Sequence, residues 1–68
     1  MNEETLNMEI RKYLKNVGVT SQREIEHAVD KAMASGKLRG NEAITVKMTL
    51  EIEAIGLSHC IEGTIAME

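Results

Sequence analysis

From Ile44 the chain alternates without a break. Ile44, Val46, Met48, Leu50, Ile52 and Ala54 are apolar, and Thr45, Lys47, Thr49, Glu51 and Glu53 stand between them. A period of two places one set on each face of an extended strand, so this stretch predicts a strand with one apolar and one wet face. After Gly56 the alternation resumes more weakly through Ile61, Gly63, Ile65 and Met67. The two runs read as an antiparallel hairpin over residues 43–67, with its turn between Ala54 and Ser58 and Gly56 supplying a positive φ.

Upstream the period changes. Leu6, Ile10, Leu14 and Val17 recur at steps of four, four and three, the spacing of one helical face, with Tyr13 beside it. Asn2 is placed to cap this helix, Glu3 and Glu4 suit its positive first turn, and Lys12 and Lys15 suit its last. Gly18 offers a left-handed residue to end it, which predicts a helix over 3–17. Ser21-Gln22-Arg23-Glu24 has the form of a capping box, with Thr20 a competing cap. Ile25, Ala28, Val29, Ala32 and Met33 then form a second, Ala-rich stripe that Gly36 ends, which predicts a helix over 21–35. Gly40-Asn41-Glu42 is a polar linker into the first strand.

These elements predict a single α+β domain over residues 1–68. Two N-terminal helices pack on one face of a C-terminal antiparallel β-hairpin, in an outline like that of a winged helix. Strand register stays open. A two-residue turn at Gly56-Leu57 would set Ile52 against Ile61 and Met48 against Ile65, but also Glu51 against Glu62. A slip by two removes that like-charge pair and keeps the faces.

Sixty-eight residues with one Tyr and no Phe or Trp leave an aliphatic core to be built from Ile, Leu, Val, Met and Ala. In so small a chain apolar burial barely offsets conformational entropy, which predicts either modest stability or a second copy completing the core. One Cys allows no internal disulfide, and no apolar run approaches the ~20 residues of a membrane span. The start is acidic rather than signal-like, so the expected location is cytoplasmic. The net charge of −3 disfavours general nucleic-acid binding.

Candidate chemistry is sparse. His59 and Cys60 are adjacent, Glu62 is nearby and His27 lies upstream, but neighbouring strand residues point to opposite faces. No paired Cys or His spacing suggests zinc, and no base is placed to activate Cys60. Gly36, Gly40, Gly56 and Gly63 sit at ends and turns rather than in a phosphate loop. No metal, cofactor, small-molecule substrate or catalytic residue is expected, and the chain reads as a non-enzyme.

Two binding readings remain. As a helix-turn-helix, the segment from Gly18 to Ile25 would open a recognition helix. Gln22, Arg23 and His27 would then face bases, and Lys31, Lys37 and Arg39 phosphates. Glu24, Glu26 and Asp30 on the same helix oppose this, as does the acidic wing. The favoured reading is a small partner-binding or assembly module that self-associates through the hairpin edge or face, because an isolated hairpin leaves two unpaired edges. Five Met residues suit core gaps or an adaptable surface.

Leu6 to Leu14, the stretch Gly-Val-Thr-Ser-Gln-Arg-Glu-Ile-Glu from Gly18 to Glu26, Ala34-Ser-Gly-Lys-Leu with Gly40 and Glu42, and Gly63-Thr-Ile-Ala carry a further likeness. On these residues the whole chain resembles a family of short, functionally uncharacterised bacterial proteins. The resemblance implies a bacterial cytoplasmic setting and no activity.

Overall fold

A computed structural model describes residues 1–68. It contains one helix, α1 (Glu3–Ala34), and two strands, β1 (Ala43–Ile52) and β2 (Leu57–Ala66), joined by a short 3-10 turn (Glu53–Ile55). The chain divides into two compact units, Met1–Lys37 and Leu38–Glu68.

The expectation of two helices is corrected here: residues 3–34 form one continuous helix. Gly18 has no positive φ, and Thr20 and Ser21, the expected caps of a second helix, lie inside it. Thr20 Oγ1 instead donates to Asn16 Oδ1 at 3.5 Å, one turn back. With no second helix there is neither a helix-turn-helix nor a winged-helix outline. The physical reason lies in the apolar phase. Val17 is followed by Ser21 and Ile25 at steps of four and four, so the two stripes are one stripe running past Gly18 without a change of face. A glycine inside a helix costs roughly 1 kcal/mol relative to Ala, which a stripe extending over the whole helix outweighs once it is packed.

Both ends of α1 follow local chemistry. Asn2 Oδ1 accepts from the Thr5 N–H at 3.0 Å, and Glu3 and Glu4 occupy the first turn. At the other end Lys37 N–H donates to the Ala32 carbonyl at 2.9 Å and Gly36 N–H to the Met33 carbonyl at 3.3 Å. That pair of bonds, with Gly36 at φ 81°, is the Schellman stop.

In the hairpin, Ile52 pairs with Leu57, Met48 with Ile61, Lys47 with Glu62, Val46 with Gly63 and Ile44 with Ile65. Relative to the two-residue turn weighed from sequence, the register has slipped by four. Four residues, Glu53 to Gly56, make the connection, and Gly56 at φ 64° closes the 3-10 turn with its N–H on the Glu53 carbonyl at 3.1 Å. The slip exchanges a Glu51–Glu62 clash for Lys47 across from Glu62. An even slip preserves the faces. Ile44, Val46, Met48, Leu50 and Ile52 share one face with Leu57, Ile61 and Ile65, as the alternation predicts.

Burial departs from expectation. No residue of the chain is buried, and Met48, Ile52 and Ile61 are 39%, 42% and 56% exposed on the face expected to be covered.

Candidate association surfaces

Each of the two units carries one apolar surface. On α1 the stripe comprises Leu6, Ile10, Leu14, Val17, Ser21, Ile25, Ala28 and Ala32. Its steps run four, four, three and then repeat, an 11-residue period of 3.67 residues per turn, close to the 3.6 of a straight helix. A stripe with that period stays on one side of a helix about 48 Å long. Side-chain size falls along it. The N-terminal half holds Leu6, Ile10 and Leu14, which are 46%, 48% and 52% exposed, and the C-terminal half holds Ser21, Ala28 and Ala32 with Ile25 the one large side chain among them. Where the small residues lie, a depression of about 360 Å³ is lined by Ala28, Ala32, Ser35, Lys31 and Lys37.

On the hairpin the apolar face carries a notch. Gly63 sits across from Val46 between Ile61 and Ile65, and a Cβ built on it would meet nothing within 4 Å. The resulting depression, about 260 Å³, is lined mainly by Val46, Met48, Ile61 and Ile65. The opposite face holds Thr45, Lys47, Thr49, Glu51, Ser58, Cys60, Glu62 and Thr64 and is suited to water.

His59 lies across from Leu50 on the apolar face, and Cys60 lies across from Thr49 on the polar face. The two therefore diverge, as strand geometry requires. No three His, Cys, Asp or Glu side chains converge as a metal-binding group anywhere in the chain.

The residues considered for nucleic acid do not form one array. Gln22, Arg23, His27 and Lys31 all lie on α1, but helical geometry sets Gln22 about 100° away from Arg23, and Arg23, His27 and Lys31 run down another side beside Asp30. Lys37 is in the turn after the helix and Arg39 in the linker. The recognition-helix reading falls with the second helix on which it depended.

Glu42 is a structural residue that the linker's composition does not reveal. Its carboxylate accepts from the Arg39 N–H at 2.9 and 3.0 Å and from the Gly40 N–H at 3.0 Å. The Arg39 N–H, acting first and most strongly, holds the carboxyl below the ordinary glutamate value of 4.5. A Glu two residues after the linker's Gly40 is the only sequence hint of it, and that pattern is common.

No helix of the chain is long and apolar enough to cross a membrane. The chain belongs to the family of unknown function DUF6494, whose profile matches residues 1–68. No curated protein and no solved structure matches it.

Proposed function

We propose that this chain is a non-enzymatic, cytoplasmic assembly module whose apolar surfaces are completed by another copy of itself. One observation carries the reading: each unit by itself leaves an ordered row of aliphatic side chains exposed, Leu6, Ile10 and Leu14 along the helix and Met48, Ile52, Leu57 and Ile61 on one face of the hairpin. Met1, Met8, Tyr13, Val19, Met33 and Ile55 are exposed outside those two rows. An unpacked helix of this length and a lone two-stranded hairpin are each marginal in water, so ordered elements with no buried residue favour an intermolecular core.

Sedimentation equilibrium across a wide concentration range tests this. The expected result is a mass of at least twice 7.5 kDa that falls toward the monomer on dilution together with helicity. A folded monomer at every concentration would overturn the proposal.

A further inference from the structure

We infer that the occupant of the α1 stripe is the same stripe of a second copy, docked antiparallel, so that the N-terminal half of each helix covers the C-terminal half of the other. This rests on the self-association reading and specifies its geometry.

Three observations converge on it. The first is the size gradient. Alignment about a two-fold between Val17 and Ser21 sets Leu6 across from Ala32, Ile10 across from Ala28 and Val17 across from Ser21. Leu6 and Ile10 then each meet an alanine, whereas Leu14 and Ile25 come together nearer the two-fold, so the two ends of the pair approach equally closely. A parallel pairing would set Leu6 on Leu6 and Ala32 on Ala32, wide at one end and starved of contact at the other.

Charge is the second. Glu3 and Glu4 mark the start of the helix, and Lys31 and Lys37 its end. Antiparallel docking brings each acidic start to a basic end, whereas parallel docking gathers four glutamates at one place and four lysines at the other. Opposed helix dipoles add to the preference.

Shape is the third. The depression of about 360 Å³ at the end of α1 has Ala28 and Ala32 among its lining residues, along with Lys31 and Lys37. The antiparallel two-fold delivers Leu6 and Ile10 to those alanines, with Glu3 and Glu4 beside the lysines. The 11-residue period permits this contact between nearly straight helices or with a slight right-handed coil. From Leu6 to Ala32 the seam is about 39 Å long.

Directed disulfide trapping tests the arrangement in the full chain. With Cys60→Ser removing the natural thiol, Leu6→Cys and Ala32→Cys are made separately, as are Ile10→Cys and Ala28→Cys in case one pair perturbs packing. Under mild oxidation the mixed pairs 6 with 32 and 10 with 28 are expected to cross-link as heterodimers, while each variant alone stays uncrosslinked. Cross-linking of Leu6→Cys with itself would show parallel helices and overturn the inference. A dimeric mass with no cross-link from either pair would also overturn it, leaving self-association through another surface. A monomeric mass for the untrapped protein would remove the self-association reading as well.

Discussion

The carboxylate of Glu42 closes on the backbone N–H of Arg39, with its two oxygens at 2.9 and 3.0 Å, and one of them also takes the Gly40 N–H at 3.0 Å. This ties the linker to the first residue before β1. Hydrogen bonds to the charged form hold the Glu42 carboxyl below 4.5. A depressed carboxyl stabilises the folded state at pH above the unfolded value, and that contribution is lost as pH falls through the folded value. Carbon-detected NMR of the Glu42 carboxyl should therefore give a midpoint below 4.5. Glu42→Gln should flatten the acid limb of the stability profile without changing it near neutrality further than one lost charged bond allows. A midpoint at or above the ordinary value would rule the loop geometry out.

Gly18 separates two descriptions of the same residues. As a helix stop it would hold a positive φ, and Gly18→Ala would destabilise by about 1 kcal/mol. Inside α1 it has ordinary helical backbone, and a Cβ there meets nothing within 4 Å. Gly18→Ala is thus expected to raise stability by up to about 1 kcal/mol and to increase helical circular dichroism. A lower melting temperature would contradict the continuous helix or reveal a neighbour pressed against Gly18.

That residue also shows where sequence reading reached and where it stopped. Both stripes on either side of Gly18 are legible, as are Asn2 and Gly36 at the true ends, because each depends on near neighbours. What decides between one helix and two is whether the stripes share a phase, and the link through Ser21, a polar residue on the apolar side, hides it. In the hairpin the faces are legible because an even slip cannot exchange them, so Ile44 and Ile61 fall on one side in any even register. The register itself depends on a 3-10 turn whose length only the closed loop reveals. Glu42 was out of reach for a similar reason: its role exists only when the linker folds back on it.

Leu14 distinguishes a solvated stripe from a packed one. It is 52% exposed in the single chain, where truncation would cost no more than about 0.5 kcal/mol. Packed in an intermolecular core, Leu14→Ala should cost about 2–5 kcal/mol per chain. We expect the larger loss, seen as a drop in melting temperature that protein concentration partly restores. A loss within experimental scatter would mean that nothing covers Leu14.

The edge of β1 supplies a control for which surface associates. Met67 N–H donates to the Glu42 carbonyl at 3.3 Å, and these residues stand one step beyond the Ala43–Ala66 pair, so theirs is a hydrogen-bonded pair. Alternation along the ladder then turns the N–H groups of Ile44, Val46 and Met48 inward and those of Thr45, Lys47 and Thr49 outward. A proline at Thr45 removes no hairpin hydrogen bond, yet it blocks another strand from adding to that edge. If the helices carry association, Thr45→Pro should leave the sedimentation mass unchanged, whereas Ile25→Asp on the stripe should shift it to the monomer. The opposite result, a monomer from Thr45→Pro and an intact assembly from Ile25→Asp, would move the interface from the helix to the strand edge.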